Sequence, residues 1–218
     1  MKSKQKLVSE FRRAAIIDAA RTVFARRGFA QGIIDEIARE AGIAKGTVYL
    51  YFRSKSEIYK AVLDQDMKAL IKGTLRRIDA AATLDEKIAA FILARIENAE
   101  ARREFFRIMD SAQGNLMMTR HQYREFLREP VERLAAAIEQ SAGRGEIRPI
   151  AAEKAAWIVA DATRGTIQRR LLEQNRPPPG EDAAFLFDFI WASLVNQEER
   201  EPSRRGAAVI ERITRLEV

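Results

Sequence analysis

Ile34-Asp35-Glu36-Ile37-Ala38-Arg39-Glu40-Ala41-Gly42-Ile43-Ala44-Lys45-Gly46-Thr47-Val48-Tyr49-Leu50-Tyr51-Phe52 is the stretch on which the reading of this chain turns. Its pattern divides into two short helical segments, about Ile34 to Ala41 and Lys45 to Tyr51, separated by Gly42. Ile34, Ile37, Ala38 and Ala41 fall at i, i+3, i+4 and i+7, one apolar face of a helix. Ala38 is small enough to let a second helix cross closely, and Gly42 suits the tight turn between them. Ile43 and Val48 point back and lock the pair. A helical pair of this kind is a helix-turn-helix, whose second helix lies in the major groove of DNA. Its register leaves Lys45, Gly46, Thr47, Tyr49 and Leu50 facing outward.

Upstream, Ile16, Ala20, Val23 and Phe24 form one apolar stripe, with Arg12, Arg13, Arg21, Arg26 and Arg27 around it. Gly28 is placed to end that helix in a left-handed conformation, with Phe29 folding back onto the stripe. Downstream, Ser54 and Glu57 have the S-x-x-E spacing of a capping box, opening a fourth helix that extends towards Arg77. Ile58, Ala61, Val62 and Leu70 are its inward positions.

Charge agrees with this assignment. The chain of 218 residues has a net charge of +7, and its first 58 residues hold twelve Lys or Arg against six Asp or Glu. The other 160 residues carry 26 and 25, so nearly all the excess lies in the N-terminal quarter. That asymmetry suits a polyanionic partner.

The run Ile37 to Lys55, together with Phe24-Ala25-Arg26-Arg27-Gly28-Phe29, closely resembles the signature of the tetracycline-repressor (TetR) family over roughly residues 11–62. The resemblance implies a dimer of nine- or ten-helix subunits, usually a repressor released from a palindromic operator when a small-molecule effector binds the C-terminal domain. It implies DNA contacts from Lys45, to a guanine edge or a phosphate, and from Lys55 as a phosphate-binding lysine at a helix start. Thr47 either bonds phosphate or meets a thymine methyl, or is only a helix-start hydroxyl. Gly46 permits close approach of the backbone, and Tyr49 suits phosphate or sugar. Tyr51 stands between DNA backbone and core, and Phe52 packs inside. Two positions depart from the family. Gly32-Ile33 replaces the usual Thr or Ser at the start of the second helix, and Leu50 replaces a residue that is often polar or basic. Lys2, Lys4 and Lys6 could compensate as a basic arm.

Beyond the fourth helix the period stays helical: Leu84–Ala99, Ala101–Ala112, Thr119–Ser141, Ala152–Gln174, Glu181–Val195 and a short stretch at Ala207–Leu216. Pro130 predicts a kink or split in the third of these, Thr119–Ser141. The fold class is therefore all-α, with an N-terminal three-helix helix-turn-helix DNA-binding domain (1–55) and a C-terminal helical ligand-binding and dimerisation domain (56–218). The helices at 152–174 and 181–195 are the expected homodimer surface, the latter through Phe185, Leu186, Phe189, Ile190 and Leu194. Alternatively, those faces are monomer core. Phe105, Phe106, Met109, Met117, Met118, Tyr123, Phe126 and Trp157 are available to line an effector cavity or to fill ordinary core. His121, Asp161 and Arg164 are its polar handles, although Asp161 and Arg164 also have the spacing of a helical ion pair.

Other function classes are disfavoured. The chain has no Cys and a single His, and no carboxylate cluster has metal-ligand or acid–base spacing, so no enzyme and no cofactor is expected. No run approaches eighteen apolar residues and the start lacks an apolar signal region, so a cytoplasmic protein without a membrane partner is expected. The competing reading is a basic helical protein that binds nucleic acid or anionic membrane without sequence preference.

Overall fold

The computed structural model describes residues 2–103, 120–195 and 205–215. Among the described residues there are nine helices and no strand: α1 (Lys2–Gln31), α2 (Ile34–Glu40), α3 (Lys45–Tyr51), α4 (Lys55–Ala80), α5 (Leu84–Ala101), α6 (Arg120–Gly143), α7 (Ala152–Leu172), α8 (Pro179–Leu194) and α9 (Arg205–Arg215). They form two compact units, residues 1–68 and 69–218.

In the N-terminal unit the stripe on α1 is the core. Ile16, Ala20 and Val23 are fully buried with Ile37, Val48 and Ile58, and Phe52 closes the cluster. Gly28 interrupts α1 with φ at 74°, and Phe29 folds back so that its ring stands 5.8 Å from Phe24 and 4.6 Å from Tyr59. The turn after α2 needs Gly42. Its φ is 65°, and the amides of Gly42 and Ile43 bond back to the Arg39 and Ala38 carbonyls at 3.1 and 3.0 Å. That pairing satisfies the last carbonyls of α2 while reversing the chain, a conformation that costs a Cβ-bearing residue strain. The start of α4 is capped differently from the expected box. Glu57 N–H donates to Ser54 Oγ at 3.2 Å, but the Glu57 carboxylate accepts from Arg53 N–H at 2.7 Å, one residue before the cap.

The C-terminal unit is organised around α5. Its inward residues Ile88, Ala89, Ala90, Phe91 and Ile92 have no exposed surface, because the helix is packed by α6, α7, α8 and α9. Thr83 and Glu86 cap it reciprocally. Pro130 does not split α6. The helix runs through it from Arg120 to Gly143, with Pro130 buried beside fully packed Val131 and Leu134. A proline removes its own N–H from the helical ladder and crowds the carbonyl four residues earlier, and the burial of the neighbouring turns outweighs that cost.

The apolar face expected on α8 is in fact two faces. Leu186, Ile190 and Leu194 enter the core with Ala183, Phe187 and Trp191, whereas Phe185 and Phe189 are 75% and 73% exposed. On α7, Ile158 and Leu172 are exposed in the same way. A buried arginine network fastens α7 to its surroundings. Arg170, only 4% exposed, reaches Glu100 on α5 and Asp182 on α8, and Arg176 holds the same Glu100. Hydrogen bonds from Arg176 and then Arg170 hold the Glu100 carboxyl down to about 2. No described helix is long and apolar enough to cross a membrane.

Candidate functional site

The outward face of α3 is built by two buried anchors. Val48 and Phe52 are 0% and 1% exposed, which leaves Leu50 81% and Tyr49 48% exposed on the far side. Lys45 and Gly46 share that exposure, while Thr47 and Tyr51 are half-buried. No side chain caps α3, because Ala44 occupies the cap position. The first amides of α3 are therefore not occupied by a cap.

Lys45 does not stand alone. Its Nζ lies 2.9 Å from Asp35 Oδ1 in the first turn of α2, and this hydrogen bond raises the lysine above its usual value. Both side chains remain half exposed, so the pair is a solvated one. Asp35 was not singled out from the sequence. Its signal was available, since an acid in the first turn of α2 stabilises the helix start and also faces the beginning of α3.

Lys55 takes a different position from Lys45. Its Nζ donates to the Phe29 carbonyl at 2.9 Å and sits 4.6 Å above the Phe29 ring, tying the start of α4 to the end of α1. Nearby, Arg27 pairs with Glu36 at 2.8 Å and Arg26 with Glu40 at 3.7 Å. Gly32 is a packing requirement: a Cβ there would lie 2.8 Å from the Phe24 ring. Ile33, half exposed, takes the cap position of α2 in an extended conformation without a side-chain bond. The basic arm of the sequence reading is helical, since α1 begins at Lys2, and it carries exposed Leu7 and Phe11.

The effector candidates are scattered. Phe105, Phe106, Met109, Met117 and Met118 lie outside the described residues, as does the side chain of His121. Tyr123 is buried in the core of the C-terminal unit, and Phe126 is half-buried. Trp157 instead borders an open groove of about 840 Å³ between α6 and α7, with the Arg124 guanidinium 4.6 Å above its ring. Asp161 is exposed, and no ion pair joins it to Arg164 among the described residues. Arg164 lies over Tyr123, 4.6 Å from the ring centroid. The structure adds Arg95 to this pair. Its Nη2 donates to Tyr123 Oη at 3.0 Å and its Nη1 to the Ala160 carbonyl at 2.9 Å. Arg95 had a sequence signal: it is the one cation in the otherwise apolar run Ile88 to Ile96.

A basic unit bearing a helix-turn-helix, followed by a larger all-helical unit, has the parts of a DNA-binding regulator. The model of the bacterial regulatory proteins of the tetR family matches residues 16–62, which include all of α2 and α3. Over those residues the chain is similar to that family. It is 40% identical over 77 residues to the fatty acid metabolism regulator protein of Bacillus subtilis (strain 168), covering 35% of this chain and 40% of that one. It is 30% identical over 104 residues to the HTH-type transcriptional activator FasR of Mycolicibacterium smegmatis, covering 48% of each. These matches thus span less than half the length of either relative. The fold is that of the Bacillus subtilis transcriptional regulator FadR, solved in complex with stearoyl-CoA. The TM-score is 0.64 at 22% identity, over 81% of this chain and 96% of the other.

Proposed function

We propose that this protein is a homodimeric repressor that binds a palindromic operator through α3 and releases it when a small-molecule effector occupies the C-terminal unit. The observation that carries the reading is the exposed face of α3: Lys45, Gly46, Tyr49 and Leu50 are exposed, with Thr47 half-buried beside them, because Val48 and Phe52 are anchored inward. Lys45 meets a guanine edge or phosphate, Tyr49 a phosphate or sugar, and Leu50 the methyl groups of thymine. Tyr51 adds a backbone contact from its half-buried position. Lys55, whose ammonium ties the start of α4 to the end of α1, is in this reading a phosphate contact beside α3.

Dimerisation runs through α7 and α8, whose exposed Ile158, Phe185 and Phe189 would otherwise remain in water. Two recognition helices about 34–36 Å apart then read successive major grooves. The effector shifts the dimer towards a spacing that does not fit the operator. A coupling of about 1–3 kcal/mol changes DNA affinity roughly 5- to 150-fold. The names of the relatives make fatty-acyl compounds the first effectors to try. FasR is an activator, so repression is the reading chosen for this chain rather than a property shared by all relatives.

The test is selection of bound sequences from a genomic DNA pool by the purified full chain. An inverted repeat is expected, and Lys45→Ala should weaken binding to it about tenfold or more by fluorescence anisotropy. Recovery of no enriched sequence would overturn the reading in favour of unspecific binding. Phe189→Glu should convert the dimer to a monomer in sedimentation and abolish operator binding. Retention of the dimer would remove α8 from the interface.

A further inference from the structure

Many arginines of the C-terminal unit are paired with carboxylates. Arg77 pairs with Glu97, Arg133 with Asp79, Arg144 with Glu146, Arg169 with Glu173 and Asp182, Arg170 with Glu100 and Asp182, Arg176 with Glu100, and Arg212 with Asp85 and Glu86. Arg95, Arg102, Arg103 and Arg164 are half-buried and belong to no such pair among the described residues. Arg103 donates to the Leu171 and Glu173 carbonyls, whereas Arg95 and Arg164 converge on the single ring of Tyr123.

Their contacts are all to neutral groups. Arg95 donates to the Tyr123 hydroxyl and the Ala160 carbonyl, and its guanidinium carbon is 5.2 Å from the Phe91 centroid. The Tyr123 hydroxyl donates onward to the same Ala160 carbonyl at 3.2 Å. Arg164 has only the Tyr123 face, at 4.6 Å. A guanidinium cannot shed its proton to escape a partly dry site. Neutral acceptors and a ring face compensate its charge less fully than an anion does. Two such cations gather on one tyrosine, with no carboxylate paired to either among the described residues, and their positive charge beside apolar α5 favours an anion there.

We propose that Arg95 and Arg164, gathered on Tyr123, form the acid-group subsite of the effector site, and that the effector is an anionic amphiphile. This rests on the effector-released regulator described above, and it assigns that effector a charge and a point of attachment. The acidic group is either the carboxylate of a fatty acid or a phosphate of an acyl-CoA. Both offer the oxygens that a guanidinium holds bidentately.

The experiment is calorimetric titration of the full-length protein with oleate, oleoyl-CoA and the uncharged oleyl alcohol, alongside release of operator DNA. One or both anions should bind at least tenfold more tightly than the alcohol, and the arm that binds identifies the source of the charge. Arg164→Gln, which removes a group that only overlies a ring, should weaken the anion about ten- to hundredfold and leave the alcohol unaltered. Arg164→Lys should restore part of the loss, and Arg95→Gln should act in the same direction. Arg133→Gln, whose partner is Asp79 on the surface, is the unaffected control. Equal affinity for anion and alcohol would overturn the proposal, as would anion binding unchanged in both Arg164→Gln and Arg95→Gln. If the anions bind and release DNA regardless of the arginines, the regulator reading stands and only this subsite falls. If the operator is bound but none of the three probes binds, the subsite falls and the effector lies outside this class.

Discussion

Lys45 and Asp35 in the N-terminal unit and Arg170 and Asp182 in the C-terminal unit are both cation–carboxylate pairs, yet they behave as opposites. The first pair is 54% and 50% exposed, the second 4% and 11%. An exposed pair contributes about 0–1 kcal/mol, because water and salt solvate either partner well when it is released. Lys45 can therefore exchange Asp35 for a phosphate or a base at little cost. Arg170 cannot leave Asp182 or Glu100 without stranding a charge in the interior. The same chemistry is thus reversible on the exposed face proposed to bind DNA, and permanent where helices must stay fastened. Arg95 and Arg164 are a third condition, partly buried cations without a carboxylate partner among the described residues that share one tyrosine ring, and the proposed anion subsite rests on that arrangement.

The largest effect is expected at Glu100. Glu100→Gln is expected to cost about 1–3 kcal/mol of unfolding free energy at neutral pH, read from the urea midpoint, since Arg170 and Arg176 both lose an anionic partner. The sign of its pH dependence follows. The carboxyl is held at about 2 in the folded chain against an ordinary 4.5, so its contribution is complete above pH 4.5 and fades as the pH falls towards 2. The wild-type and variant midpoints should converge over that interval. A constant gap would mean that Glu100 acts through packing.

Asp35→Ala is the matching test in the N-terminal unit, with a smaller effect. Its urea midpoint should correspond to a change within about 0.5 kcal/mol. DNA affinity should rise a few-fold, with a steeper dependence on salt, because one carboxylate no longer competes with phosphate for Lys45. Weaker binding would show instead that Asp35 aims Lys45 at its target. The smallest effect is expected at Tyr59, whose hydroxyl is buried without a hydrogen-bond partner and whose burial pushes its ionisation up to about 12. Tyr59→Phe should be neutral or slightly stabilising by thermal melting, because an unpaired polar atom leaves the Phe24–Phe29–Tyr59 cluster.

Much of the N-terminal unit was legible in the residues. Gly28 and Gly42 adopt positive φ where a helix end and a tight turn were expected, and α3 occupies Lys45–Tyr51 as expected. The helical period and the special conformations of glycine are local properties, carried by residues three or four apart. The candidate site was legible only in its exposed face. Asp35 was missed because it lies ten positions from Lys45 and on another helix. Lys55 was expected at phosphate, and its bond to Phe29 joins residues 26 apart.

In the C-terminal unit the same local signals located helices but not their partners. Pro130 carried a local expectation of a break that burial of α6 overrode. Phe185 and Leu186 are adjacent and equally apolar, yet one is exposed and the other buried. Sequence alone determined the all-α class, the helix-turn-helix and the placement of positive charge, because each depends on short-range periodicity or on simple addition. Tertiary structure alone decided which arginines met carboxylates and which met Tyr123. The partners of Arg95 lie 28 and 65 positions away, and only the packing of α5 against α6 and α7 brings them within a hydrogen bond's length.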